Sequence, residues 1–270
     1  MPATYAHYKF GDAVYQQLPQ NFQDEIDVNR SLYDIGVHGP DLLFYYHPLK
    51  KNRINQKGAQ MHDESASPFF EEAKRILRQS NSQAEWIPYI YGFITHFILD
   101  SECHALVFNK TARDGTSHSE IEVEFDRMLA IEDGFNPVEK RMGEHLKATA
   151  ENAKAIAPFF PGYSWKTIQK CIEGFIQTDG LLTAPSKIKR TFIYNAMKVI
   201  GKYEAYQGLI VNEVHNPQCD DSNQALKTHF DLAVPLAVNQ ILAFKAHLRT
   251  GESLSERYNT TYCSKERIEK

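Results

Sequence analysis

The chain has 270 residues, with 30 Lys+Arg against 34 Asp+Glu, for a formal charge of −4. Apolar residues at 42 % and charged residues at 24 % form an ordinary globular balance, which excludes a disordered chain, a collagen and a disulfide miniprotein. The near-neutral charge argues against a nucleic-acid binder held by bulk electrostatics, and four dispersed cysteines with no CxxC pair point to a reducing compartment.

In chain order the apolar pattern is helical nearly everywhere. The opening MPATYAHYKFGDAV holds no apolar core segment and is not a signal peptide. Residues 21–46 fit one helix or two, interrupted at Gly36 and at Gly39-Pro40. Ser67-Pro68 begins a helix to about Gln79, because proline suits the first helical position. Ser82 and Glu85 form a capping-box pair that opens a long helix to about Asn109, with Pro88 near its first turns. Ser117 and Glu120 form a second such pair, opening a helix to about Ala130. Asn136-Pro137 starts a helix towards Ile156, and PFFPG at 158–162 is a loop. Helices then cover 164–182, 186–210 and 222–249.

No stretch alternates with a period of two, and no repeat or linker divides the chain. The reading is an all-α, single multi-helix bundle over residues 1–270, with the chemistry in 1–125, further helices to about 250 and a short polar tail. The longest apolar stretch, residues 86–99, falls short of the roughly 20 residues that span a bilayer. The expected location is the cytoplasm, and no membrane-binding helix stands out.

Of the eleven histidines, seven lie at or before residue 118. His96, Asp100 and His104 stand at i, i+4 and i+8 in YGFITHFILDSECHALV, so they form one stripe on an otherwise apolar helix. A buried carboxylate between two imidazoles needs compensation, and a divalent cation supplies it. A metal-free Asp–His hydrogen-bond network is the alternative. His118 and Glu122 repeat the i, i+4 spacing at the start of the next helix. Fourteen residues separate His104 from His118, enough for a turn that brings the second helix back against the first. Histidine and carboxylate ligands without a cysteine set suit Zn²⁺ or a similar divalent metal.

The tracts HFILDSECH and HSEIE, with YAHYKFG at the start and GVHGPDLLF and MH between, resemble the zinc-dependent phospholipase C family. Its all-α fold also serves single-strand-specific nucleases. The resemblance covers about residues 3–125 and implies a trinuclear zinc cluster of His and Asp/Glu side chains plus the N-terminal amine. It implies that Asp41, His62 and His96 hold one zinc. Asp100 bridges that ion to a second, held by His7 and the amine that removal of Met1 exposes at Pro2. His104, His118 and Glu122 hold the third. Without the amine, the cluster reduces to two ions. Asp41 is also implied as general base. The implied activity is phospholipase C-like hydrolysis of a phosphoester, such as a phospholipid, by in-line attack of activated water. Oligomeric state is open.

Two other readings stand beside it. His62-Asp63 is an HD dipeptide, as in all-α metal phosphohydrolases, and that reading makes Asp63 a ligand while leaving the stripe unused. A non-enzymatic helical protein with a structural or vestigial metal site is the other. His38 and His47 flank the GPD turn as weaker candidates, Glu102 and Glu124 read as solvated faces, and Lys187-Ile188-Lys189-Arg190 reads as a solvated helix turn able to attract an anion.

Overall fold

The first helix is one the apolar pattern does not announce. The computed structural model describes residues 4–263, apart from the side chains of residues 204 and 205. It begins with α1 (Thr4–Gln17), which turns Tyr5, Ala6, Phe10 and Val14 inward. Next come α2 (Gln20–Asp27), α3 (Arg30–Gly36) and a tight 3₁₀ turn over Gly39–Tyr45, so the breaks at Gly36 and Gly39-Pro40 are real. α4 (Arg53–Asp63) was not expected either. It starts on a full capping box, in which Asn52 accepts from the Ile54 and Asn55 backbone and Asn55 answers to the Asn52 N–H.

α5 (Ser67–Gln79) and α6 (Gln83–Asp114) follow where expected, although the Ser82 side chain makes no cap bond. α7 (His118–Glu132) does use its cap, with Ser117 Oγ accepting from the Glu120 N–H at 3.2 Å. The helix expected over 136–156 is reduced to α8 (Ala150–Ile156), capped by Thr149. The residues before it spend their side chains on other elements: Arg141 donates to the Ile176 carbonyl at 2.9 Å, and His145 reaches His38. α9 (Trp165–Leu182) agrees with expectation. The helix expected over 186–210 ends early, as α10 (Lys187–Val199), where Gly201 takes φ +66; α11 (Tyr203–Tyr206) is a separate turn. α12 (Asp220–Thr250) closes the set.

The fold is all-α. Among the described residues the only β pairing is a lone bridge between Ser65 and Thr261. α6 runs through the centre, buried on every side from Ile87 to Ser101, as its nearly continuous apolar sequence requires. α3 and α12 pack along it, with α1 alongside. α3 crosses α6 on two glycines: a Cβ on Gly36 would stand 2.2 Å from the Tyr89 carbonyl oxygen, and one on Gly92 2.3 Å from that of Tyr33. No helix of the described residues is long and apolar enough to cross a membrane.

Candidate metal centre

Three helices and the 3₁₀ turn converge on the polar stripe of α6. His96, Asp100 and His104 are buried on its inner side, as the i, i+4, i+8 spacing requires. α1 supplies His7, whose Nε2 lies 3.2 Å from Asp100 Oδ1 and whose ring stacks on His96 with centroids 4.4 Å apart. The Gly39–Tyr45 turn supplies Asp41. α4 supplies His62, with Nε2 3.0 Å from Asp41 Oδ1 and 3.5 Å from Asp100 Oδ2. His96 faces both acids, Nδ1 4.0 Å from Asp41 Oδ2 and Nε2 3.2 Å from Asp100 Oδ2. α7 closes the far end: His118 Nε2 is 2.9 Å from Glu122 Oε1, and His104 Nε2 is 3.7 Å from the same oxygen.

Three groups of ligand-capable atoms result, the atoms of each lying within 4.8 Å of one another: Asp41, His62 and His96; His7, His96 and Asp100; His104, His118 and Glu122. All eight side chains proposed from the sequence are thus brought together. One detail differs, since His96 can serve either of the first two groups through its two nitrogens. The expected amine ligand lies outside the described residues. Asp63 is exposed and outside all three groups, which removes the ligand that the HD reading requires.

The donor set fits divalent cations on its own chemistry. His7 Nδ1, both Asp41 oxygens, both His96 nitrogens, Asp100 Oδ2 and Glu122 Oε2 are buried without a hydrogen bond. Buried polar groups are rarely left so, and three carboxylates converging in one buried patch need cations to balance them. Burial opposes charge on His7 and His62, yet hydrogen bonds to the neighbouring acids outweigh it, raising His7 and pushing His62 up to about 10, so these imidazoles fill the cationic role that a bound metal would take over. Two imidazoles are already oriented by backbone: His62 Nδ1 meets the Gly58 carbonyl at 2.7 Å and His104 Nδ1 meets that of Asp100 at 3.1 Å. With Nδ1–H donating there, Nε2 is in each case the nitrogen left to face the site, and it would bind a metal by giving up any proton it carries. Burial raises the Asp100 carboxyl, but the surrounding histidines outweigh it and hold this group well below the usual carboxylate range, as an anion. A cavity of about 30 Å³ touches His7, Asp100, His104 and Glu122, room for a water between the second and third groups.

Several supporting residues were missed or misread. Asp126, one turn beyond Glu122, accepts from the Tyr5 and Ala6 N–H groups at 2.9 and 2.7 Å and so fixes the start of α1 just before His7. The spacing His118, Glu122, Asp126 was a signal that could have found it. Tyr262 stands with its ring 5.4 Å from His62 and 5.8 Å from His96, and no local pattern marks it. Glu124 is no solvated face: it is buried and accepts from Asn212 Nδ2 at 2.8 Å. Glu102 is likewise engaged, by Arg257 at 2.5 Å. His47 makes its ring contact with Tyr46 and is in none of the groups.

His38 lies behind the site, its Nε2 2.7 Å from His145 Nε2, so one imidazole donates and the other accepts. Burial pushes His145 down to about 3 and His38 well below its ordinary value, so both are neutral in the folded chain. An unfolded histidine titrates near 6.5. The pair's stabilisation is therefore complete above about pH 6.5 and is lost as pH falls towards 3. His145→Gln is expected to show a shallower fall in thermal unfolding midpoint than the wild type between those limits. Parallel curves would remove the pair from the acid response.

Gly39 shows how closely the turn approaches α6. It has φ +49, and a Cβ there would lie 2.2 Å from His96 Cδ2. Gly39→Ala is expected to cost about 1 kcal/mol in backbone strain and to displace His96. Metal content measured by elemental analysis should fall by at least one ion per chain, and an unchanged content would show that the turn has slack.

The family model for zinc-dependent phospholipase C matches residues 6–174, well over half of the chain. No curated protein and no solved structure matches the chain.

Proposed function

The chain belongs to the zinc-dependent phospholipase C family, and from that premise we propose that it hydrolyses phosphodiesters at a cluster of two or three zinc ions. Asp41, His62 and His96 would hold one ion, His7 and Asp100 a second, and His104, His118 and Glu122 a third. The observation that carries this reading is the meeting of three ligand-capable groups in one buried patch. Bound zinc lowers the pKa of a coordinated water and neutralises charge on phosphate oxygens.

The chain's own residues do the rest. Asp41 Oδ2 has no hydrogen bond and faces His96, so it is the atom assigned to receive the proton of the attacking water. The two carbonyl-locked histidines keep their Nε2 atoms aimed without rotational freedom. His118 is the most exposed member of the set, 27 % at its side chain, and marks the side from which a phosphoester reaches the cluster.

Elemental analysis and turnover of bis(p-nitrophenyl) phosphate test the reading together. The purified chain should carry two or three zinc ions, lose turnover on chelation and regain it with zinc. Full zinc occupancy with no turnover on any diester would favour a non-enzymatic metal protein instead.

A further inference from the structure

α10 is apolar on two opposite sides. Ile193 and Met197 face inward and close a small core of their own with Ala184 and Ile210. Ile188, Phe192 and Val199 face outward, 85, 73 and 87 % exposed. Their i, i+4, i+11 spacing places them on one stripe of the helix, turned about half a revolution from the buried pair. Ile200 just beyond α10 and Leu181 at the end of α9 are exposed as well.

The same segment is the most cationic part of an otherwise acidic chain. Residues 180–203 contain Lys187, Lys189, Arg190, Lys198 and Lys202 and no carboxylate, the nearest acids in sequence being Asp179 and Glu204. Lys189 and Arg190 are tied to neutral carbonyls, Lys189 to Gly180 and Thr183, Arg190 to Ala184 and Val211. Those bonds hold the helix down without cancelling its charge. Lys198 lies over the Tyr203 ring at 4.7 Å.

We propose that this face of α10 docks on an anionic lipid surface. An exposed apolar stripe calls for an apolar phase, and the cations beside it call for anions. A bilayer containing anionic lipid offers both, one just beneath the other. A second copy of the chain fits less well, because pairing the stripes would bring the two sets of cations together. The position suits access to the metal centre. The turn after α11 sets Gly208 against Ser117 and Ser119, which flank His118, the most exposed of the ligand residues. In naming lipid as the place where the phosphoester is met, the proposal rests on the hydrolytic reading; the binding itself does not.

Vesicle flotation tests it, with phosphatidylcholine alone and with equal parts phosphatidylcholine and phosphatidylserine. The wild type should bind the anionic vesicles at least about tenfold better than the neutral ones, and less as salt rises. Ile188→Ser/Phe192→Ser/Val199→Ser should lose at least about tenfold of that binding. Lys187→Gln/Lys198→Gln/Lys202→Gln should lose the preference for anionic vesicles. Both variants should turn over bis(p-nitrophenyl) phosphate as the wild type does, since none of these residues touches the metal groups. Vesicle binding without any turnover would leave the surface standing and remove the hydrolytic reading. A wild type that ignores both vesicles, a serine variant that binds undiminished, or a dimer that the serine variant abolishes would each overturn the proposal.

Discussion

Asp100→Asn is expected to lower hydrolysis of a soluble phosphodiester by at least about a thousandfold and to remove at least about one metal ion per chain. Asp100 is the hub of the site. Its carboxylate faces His7 and His96 at 3.2 Å, His62 at 3.5 Å and His104 at 3.7 Å, so it touches ligands from α1, from α4 and from the turns of α6 before and after it. Asparagine keeps the shape but loses the charge that balances two cations. It also turns one oxygen into an N–H donor that cannot bind metal. The fold should survive, because the variant removes a buried anion rather than a packing group. Elemental analysis and turnover on the same preparation check the result. A variant with full metal content and full activity would place the reactive centre elsewhere.

The second large effect falls on stability. Gly92→Ala is expected to destabilise the chain by about 3 kcal/mol, read by urea unfolding, because overpacking against backbone has no cheap relief. The Cβ would meet the Tyr33 carbonyl oxygen at 2.3 Å and the Gly36 carbonyl carbon at 2.9 Å. Neither is a side-chain end that can swing away. Gly115→Ala is the control: Gly115 has φ +76 with nothing near its Cβ, so only backbone strain of about 1 kcal/mol applies. The glycine crossing also sets the site. Gly92 lies one turn before His96, and Gly36 lies five residues before Asp41. Separating α3 from α6 therefore moves Asp41 away from His96, and metal content should fall with stability. Equal unfolding midpoints for Gly92→Ala and Gly115→Ala would mean that the two helices have room to part.

Much of the candidate site was legible before any tertiary information. Within a helix, positions four apart share a face whatever the rest of the chain does. His96, Asp100 and His104 were therefore a stripe in the sequence already, and so were His118 and Glu122. Buried α6 also shows in its composition, since a helix apolar all round has nowhere to go but the interior. The all-α class follows from the same periodicity.

The remainder depends on which distant elements touch. α1 and α4 were not read as helices, and each carries a histidine of the site. α1 is held by α7, through Asp126 on its first N–H groups and Asp133 on Tyr5 and Lys9. Those are contacts across more than 100 residues, and no local pattern encodes them. The fate of Glu124 turned on Asn212, and the 136–149 segment puts Arg141 on α9 and His145 on His38 instead of continuing as a helix. The outer stripe of α10 is the clearest case. Ile188 and Ile193 are equally apolar in the sequence, and only the packing of the chain shows that one is covered and the other faces out. Residue spacing along a helix is set by the local backbone, whereas convergence and exposure are set by how the helices pack, and that is a property of the whole chain.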